Sequence, residues 1–113
     1  MKSKILALSN NKEFKELVGK EKISNKYITI CYGKLKNKDN TKLNISFSVK
    51  KKIGNAVKRN KIKRRLKNIL NDAIKKIPIN YNFSFLVIAK STMLNNDFKN
   101  IKDSIFQDFK KIK

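Results

Sequence analysis

Histidine is absent from this 113-residue chain, and cysteine occurs only once. The missing imidazole removes the commonest general base and the commonest metal ligand of enzymes. The single thiol, Cys31, rules out an intrachain disulfide and a cysteine metal cluster. Its position inside an apolar segment predicts a small buried side chain in a protein of the reducing cytoplasm.

Long hydrophobic runs are missing as well. No stretch approaches the roughly 20 apolar residues that a membrane-spanning helix needs. The apolar run at residues 5–8 is shorter than the roughly 7–15-residue core of a signal peptide. No internal repeat or linker is visible in the sequence. We therefore expect a single domain over residues 1–113, located in the cytoplasm and without membrane contact.

Acidic residues are scarce: 8 Asp and Glu stand against 29 Lys and Arg, which gives a formal net charge of +21. The excess is concentrated, since residues 50–67 contain ten basic residues and no acidic one. All three arginines of the chain, Arg59, Arg64 and Arg65, fall in that window. A concentrated positive charge of this size predicts a polyanionic partner.

Alternation and helical periodicity divide the chain into six elements. The expected strands are 27–32, 43–49 and 82–89, with a polar loop at 33–42 that has room for one more strand. The expected helices are 11–18, 55–76 and a terminal helix from about residue 95, whose apolar positions are Leu94, Phe98, Ile101, Ile105, Phe109 and Ile112. The order α-β-β-α-β-α predicts an α+β fold, with helices flanking a small mixed sheet.

The basic window lies in the longest expected helix. Asn55 is suited to cap its start, and Pro78 prevents its continuation. At 100° per residue its apolar residues form one stripe, made of Ile62, Leu66, Ile69, Leu70, Ala73 and Ile77. The same geometry places Lys61, Arg64, Arg65 and Lys67 on the exposed side, and Arg59 and Lys63 at the border of the stripe.

Three interpretations of this basic face compete. An ordinary solvated face is disfavoured because no Asp or Glu stands three or four residues away to neutralise the cations. A DNA recognition helix usually follows another helix and a tight turn, whereas the element before this helix reads as a strand. Recognition of RNA through its shape and phosphates fits the pattern better.

One segment is specific enough to indicate a family. Residues 47–65, FSVKKKIGNAVKRNKIKRR, closely resemble the signature of the bacterial ribonuclease P protein, in which a strand ending in Ser-Val leads into a basic helix with an Arg-Asn-Lys or Arg-Asn-Arg motif. The matching residues are Lys51, Lys52, Ile53, Gly54, Ala56, Val57, Arg59, Asn60, Lys61, Ile62, Lys63 and Arg64. The resemblance continues into the strand at 85–90 and to Phe14 in the first helix.

The resemblance implies a fold like the second domain of ribosomal protein S5, with a left-handed β-α-β crossover in place of the usual right-handed one. It also implies a division of labour, in which a large RNA carries out Mg²⁺-dependent endonucleolytic cleavage of precursor tRNA at the mature 5′ end. The protein would bind that ribonuclease P RNA and hold the 5′ leader of precursor tRNA in a cleft between the first helix and the sheet. No metal site on the protein is expected, and the protein should be monomeric outside the holoenzyme.

Two groups of residues carry these expectations. The expected RNA-binding residues are Lys51, Lys52, Arg59, Asn60, Lys61, Lys63, Arg64, Arg65 and Lys67. The expected leader cleft contains Phe14, Val18, Ile30, Tyr32 and Lys90. Alternatives remain at several positions: Phe14 could serve only to pack the helix on the sheet, Ile30 and Tyr32 could be core or surface residues, and Asn60 could hydrogen-bond locally.

The chain also departs from the family pattern. Ser46 stands where Gly is frequent, Lys50 where a small residue is usual, Val18 where an aromatic residue is frequent, and Lys90 where Arg is commoner. Two rival functions stay open from the residues alone. A structural RNA-binding protein of the ribosomal type would explain the charge, and a protein-only nuclease would need several of the eight scattered carboxylates to converge on metal ions.

Overall fold

The computed structural model describes residues 5–6, 11–36, 41–94 and 97–112. Within these ranges the helices are α1 (Asn11–Val18), α2 (Ala56–Lys76) and α3 (Phe98–Lys111). The strands are β1 (Ile5–Leu6), β2 (Glu21–Ser24), β3 (Ile28–Gly33), β4 (Leu43–Ser48) and β5 (Ser84–Ala89). A 3₁₀ turn at Lys51–Ile53 precedes α2, and a second one at Ser91–Leu94 precedes α3.

The strands form one mixed sheet in the order β1-β4-β5-β3-β2. β5 is central: it runs parallel to β4, with Ile45 opposite Phe85, and antiparallel to β3, with Cys31 opposite Leu86. Because β4 and β5 are parallel neighbours joined through α2, they form a β-α-β unit. The expected α+β fold is confirmed, and the left-handed sense of the crossover stays a prediction.

Helices cover both faces of the sheet. The main core lies on the α2 and α3 side, where the whole predicted apolar stripe of α2 is buried against residues such as Ile45, Phe85 and Val87. A smaller cluster lies on the α1 side, where Leu17, Cys31 and Leu86 are buried. β5 therefore contributes to both, as expected for a strand that is covered on both faces.

β2 was not predicted, because its sequence Glu21-Lys-Ile-Ser24 is mostly charged or polar. It is an edge strand held by main-chain pairing with β3, and only Ile23 is partly buried in it. Charged side chains are common on such edges, because they discourage pairing with other molecules. The extra strand expected within 33–42 is not found at 34–36 or 41–42, and residues 37–40 lie outside the described part.

The start of the terminal helix differs from the expectation. Asp97 caps α3, and its side chain accepts a hydrogen bond from the Lys99 backbone N–H. Leu94 therefore belongs to the preceding 3₁₀ turn, and Phe98 in the first helical position is 38% exposed instead of buried. Ile101, Ile105 and the rest of the predicted stripe are buried.

A polar brace ties α3 to the turn between β2 and β3. The Asn25 side-chain oxygen accepts hydrogen bonds from the backbone N–H groups of Tyr27 and Ile28, at 2.6 and 2.9 Å. The Asn25 amide nitrogen donates to the buried carboxylate of Asp108, at 2.8 Å. This arrangement satisfies a buried charge, which would otherwise be costly, and fixes the turn against the last part of α3.

Candidate nucleic-acid interface

The basic helix begins at a well-defined cap. The side-chain oxygen of Asn55 accepts a hydrogen bond from the Lys58 backbone N–H, at 3.0 Å. Asn55 therefore does the capping, and Asn60 is left on the exposed surface of the helix. Gly54 lies under the side chain of Lys58, since a Cβ atom at Gly54 would stand 3.1 Å from the Lys58 Cβ. Because Gly54 has no side chain, the aliphatic part of Lys58 can pack against its backbone.

No carboxylate neutralises the basic side chains of residues 50–67 in the part of the chain that the structure describes. The ion pairs seen there lie elsewhere: Lys102 with Asp72 at 2.6 Å, and Lys111 with Asp108 at 3.9 Å. Most of the basic residues in the window are exposed. The dense, uncompensated positive surface expected from the sequence is therefore present at the first turns of α2.

An open groove of about 580 Å³ lies between α2 and β4 and is here called the strand groove. Its lining consists of Phe47, Val57, Asn60, Lys63, Arg64 and Lys67. Four of these six were predicted as RNA-binding residues. Val57, which is 76% exposed, and the half-buried Phe47 add an apolar strip within the basic surface. The strand groove thus offers cations, an amide and apolar area together.

A second groove of about 200 Å³ lies between α2 and the 3₁₀ turn at Ser91–Leu94, and is here called the turn groove. Its lining consists of Lys58, Lys61, Ile62, Arg65, Met93 and Leu94. Lys61 and Arg65 were predicted as RNA-binding residues, whereas Lys58 was not. The predicted residues therefore do not form one continuous surface, because α2 divides them between two grooves.

A third concave site of about 530 Å³, the lysine crevice, lies where β4 and β5 end. Its lining consists of Lys50, Lys52, Ile53, Ile88, Ala89, Lys90, Ser91 and Thr92. The Lys90 ammonium donates to the Asn25 carbonyl oxygen at 2.6 Å and to Ser24 Oγ at 2.8 Å. These bonds fix Lys90 beside Lys50 and Lys52, so that three cations gather at one end of the sheet.

Two of the predicted RNA-binding residues, Lys51 and Arg59, line none of these three grooves. Lys51 is exposed on the 3₁₀ turn before α2. Arg59 is half-buried, and its Nε is buried without a hydrogen-bond partner among the described residues. A buried donor without a partner costs about 1–3 kcal/mol. Arg59 is thus held against the body of the protein at the edge of the helix, as its border position in the apolar stripe predicted.

The expected leader cleft is only partly assembled. Phe14 is half-buried against Leu17, Cys31 and Leu86, and Val18 on the same helix is 39% exposed. Ile30 and Tyr32 were assigned to this cleft wrongly: Ile30 is fully buried in the main core, and Tyr32 packs on that core beside Phe83 and Phe85. Side chains alternate along a strand, so a shift of one residue in register moved both to the opposite face of the sheet.

The residues that do face α1 were missed. Leu43, Ile45 and Phe47 of β4 point into the main core, so Ser46 and Ser48 point to the α1 side. On β3 the corresponding residues include Cys31, which contacts the α1 cluster. The strict alternation of residues 43–49 already contained this signal, because its polar members had to occupy the other face.

Metal-ligating residues do not come together in the described ranges: no group of three or more His, Cys, Asp and Glu side chains is close enough to hold an ion. Cys31 is fully buried, and burial raises the pKa of its thiol above the ordinary value of 9.0. It therefore behaves as the small apolar side chain that was predicted. None of the described helices is both long enough and apolar enough to cross a bilayer.

Curated proteins resemble this chain over most of its length. The family model described as Ribonuclease P matches residues 3–113. The ribonuclease P protein component of Mesoplasma florum is 36% identical over 99 residues, which cover 87% of this chain and 86% of that relative. The corresponding protein of Mycoplasma mycoides subsp. mycoides is 32% identical over 106 residues, 94% of each chain.

Solved structures agree with this likeness. The RNase P protein of Staphylococcus aureus superimposes with a TM-score of 0.76 at 26% identity, covering 94% of this chain and 93% of that one. The RNase P protein of Thermotoga maritima superimposes with a TM-score of 0.79, covering 96% and 98%. At 22% identity, the second comparison bears on the fold alone.

Proposed function

Because this chain belongs to the ribonuclease P protein family, in which it has a role in processing the 5′ end of tRNA, we propose that it binds the catalytic RNA of ribonuclease P and the 5′ leader of precursor tRNA. The observation that carries this proposal is the strand groove, where Asn60, Lys63 and Arg64 line one open surface without a neighbouring carboxylate. Arg suits such a site, because its planar guanidinium donates two hydrogen bonds to one phosphate.

The strand groove is the surface that we assign to the catalytic RNA. Its cations supply phosphate contacts, which set affinity and orientation without reading sequence. The exposed Val57 beside them would contact a sugar or a base where the RNA backbone lies close to the protein. Lys51, on the 3₁₀ turn before α2, and Arg59, in the first turn of α2, extend this positive surface.

The leader is assigned to the face of the sheet that carries α1. Phe14 and Val18 supply apolar area there, and the polar side of β4 runs alongside. The lysine crevice lies at the end of that face, where Ile88 belongs both to the α1 cluster and to the crevice lining. A single strand that follows the α1 face would therefore meet the three ammonium groups of Lys50, Lys52 and Lys90.

The chemistry of cleavage is assigned to the RNA subunit, with Mg²⁺ bound there. Two-metal hydrolysis needs several carboxylates at one site, and the described residues provide no such cluster. The protein's contribution would be electrostatic: its cations favour the close approach of two polyanions that otherwise repel each other. We propose a monomer outside the holoenzyme and a cytoplasmic location, where the precursor and the catalytic RNA are found together.

Reconstitution tests the proposal. The purified full-length protein is added to a bacterial ribonuclease P RNA at low Mg²⁺, and 5′ processing of precursor tRNA is measured. Stimulated cleavage at the mature 5′ end is expected. A ribosomal-type RNA-binding protein would bind without stimulating, and a protein-only nuclease would cut when no RNA subunit is added; either result would refute the proposal.

Matched double variants locate the effect on the helix. Lys63→Ala with Arg64→Ala removes two cations of the strand groove, and stimulation should be lost. Lys75→Ala with Lys76→Ala removes two exposed cations at the other end of α2, and stimulation should persist. Equal loss in both would mean that total charge matters and the groove does not.

A further inference from the structure

The turn groove lies across α2 from the strand groove. Each cationic residue of the turn groove stands two positions before a polar residue of the strand groove. The pairs are Lys58 and Asn60, Lys61 and Lys63, and Arg65 and Lys67. Two residues turn an α-helix by about 200°, so the members of each pair point in nearly opposite directions. Since a helix with its side chains is about 10–12 Å across, one RNA backbone lying along the strand groove is out of reach of the turn groove.

The lining of the turn groove combines two kinds of chemistry. Lys58, Lys61 and Arg65 stand on the α2 side, and no carboxylate lines the groove. The opposite wall comes from the second 3₁₀ turn, where Met93 is fully buried and Leu94 is half-buried. Among the described residues no carboxylate pairs with these cations, and Leu94 keeps part of its side chain exposed, so the groove offers cations beside a small apolar surface.

We propose that the turn groove binds a second RNA segment, one that is unpaired and is separate from the segment in the strand groove. This inference rests on the proposed function, and it adds a second contact of the same protein with RNA. Phosphates of the segment bind Lys58, Lys61 and Arg65, and one of its bases packs against Leu94. α2 then acts as a spacer that holds two RNA backbones about one helix diameter apart.

Charge complementarity and shape favour an unpaired segment as the occupant. Double-stranded RNA presents phosphates and 2′-hydroxyls but keeps its base faces stacked inside. An unpaired strand exposes both a phosphate backbone and base faces, which together match a groove with cations on one wall and apolar side chains on the other. An acidic peptide would satisfy the cations but would leave the exposed part of Leu94 without a partner.

Site-directed crosslinking tests the proposal, because the natural Cys31 is buried and does not compete for a thiol reagent. Arg65→Cys and Lys67→Cys are made separately, labelled with a photoreactive group, and bound at saturating concentration to a bacterial ribonuclease P RNA, with and without precursor tRNA. The two positions are expected to crosslink to two separate segments, and the Arg65→Cys segment is expected to be unpaired by chemical probing. Adducts formed without precursor tRNA place that segment in the catalytic RNA, and adducts formed only with it place the segment in the substrate.

The remaining crosslinking results separate failure of the second contact from failure of the proposed function. Three outcomes would overturn the second contact and leave the strand groove assignment intact. They are crosslinks from both positions to the same RNA segment, no crosslink from Arg65→Cys, and an Arg65→Cys adduct within a duplex. Loss of crosslinks from Lys67→Cys as well would contradict the proposed function itself.

A salt titration gives an independent measure. The double variant Lys58→Ala with Lys61→Ala should lower the slope of log affinity against log salt by about 1.4, at about 0.7 per phosphate contact with single-stranded RNA. The matched variant Asn60→Ala with Lys63→Ala removes one cation from the other side of the helix and should lower the slope about half as much. An unchanged slope for the first variant would show that these lysines do not touch phosphate.

Discussion

The two halves of α2 differ in what their side chains contact. In residues 56–67, seven of twelve residues are basic, none is acidic, and the buried residues are Ile62 and Leu66. In residues 68–76, Ile69, Leu70 and Ala73 are buried, and Asp72 pairs with Lys102 of α3. The first half faces two open grooves, whereas the second half is packed against its neighbours and forms an ion pair with α3. One continuous helix thus joins a binding surface to a structural support.

Packing in the second half of α2 explains why the basic first half can remain without neutralising carboxylates. Repulsion among unpaired cations opposes the formation of an isolated helix, and no acidic residue in the first turn of α2 interacts favourably with the helix dipole. Helices in proteins gain most of their stability from tertiary packing. Packing of the second half therefore stabilises the first half, and substitutions in the two halves should have separable effects.

The largest effect is expected in the packed half. Leu70→Ala removes a fully buried side chain and should lower the free energy of unfolding by about 2–5 kcal/mol. Urea unfolding measures this loss, with Asn68→Ala on the exposed side as the control that should stay within about 0.5 kcal/mol. RNA affinity per folded molecule should be unchanged. A selective loss of affinity without a loss of stability would contradict the division between the two halves.

A smaller effect is expected at the junction with the 3₁₀ turn. Asn55→Ala removes the acceptor for the Lys58 backbone N–H and should cost about 1 kcal/mol of stability. Asn55→Ser retains a capping oxygen and should recover most of it. Thermal unfolding distinguishes the two variants, and equal melting temperatures would show that the cap contributes nothing.

In the binding half the effect should appear in affinity and not in stability. Arg64→Ala should lower the slope of log RNA affinity against log salt by about 0.7–0.9, the value of one phosphate contact. The free energy of unfolding should change by no more than about 0.5 kcal/mol. Lys75→Ala is the control, because Lys75 lies on the same side of the helix three turns later and is also exposed. If both variants changed the slope equally, the grooves would not define the site.

The smallest effect is expected from the ion pair that marks the packed half. The hydrogen bond from Lys102, followed by its positive charge, lowers the pKa of Asp72 below the ordinary value of 3.8. A carboxyl with a lowered folded-state pKa stabilises the fold above 3.8, and this contribution disappears as the pH falls through the folded-state value.

The test compares melting temperatures of the natural protein and Asp72→Asn from neutral to acidic pH. The natural protein should be slightly more stable at neutral pH, and the difference should shrink as the pH falls below 3.8 and vanish below the lowered folded-state pKa of Asp72. The side chain of Asp72 is 42% exposed, so solvent screens the pair and the difference should be small. A difference that persists in acid would have another origin than this carboxylate.

Much of the fold could be predicted from the sequence. The bounds of α1 and α2 agree with the expectation because caps and periodicity mark them: Asn55 caps α2, and the stripe from Ile62 to Ile77 is buried throughout. β2 escaped because main-chain pairing with β3, and not side-chain pattern, holds its charged residues in a strand. Pairing with a strand that lies elsewhere in the sheet leaves no pattern in the local sequence of β2.

The sequence predicted which residues belong to the candidate site but not how they are arranged in space. Charge and the Arg-Asn-Lys segment identified the helix, but the division into two grooves depends on where β4 and the second 3₁₀ turn pack beside it. Lys58 was missed for this reason. Ile30 and Tyr32 were misplaced because a short apolar strand such as 27–32 does not reveal which of its faces is inside.

The central position of β5 bears on the order in which the protein can be made. β3 and β4 are not neighbours: β3 pairs with β2, β4 pairs with β1, and these two pairs are joined by β5, residues 84–89. During synthesis on the ribosome, both strands and the whole basic helix emerge before the strand that unites them. The sheet is therefore completed late, from contacts distant in sequence, which form slowly. Until then the cationic helix lacks the packing that later supports its second half.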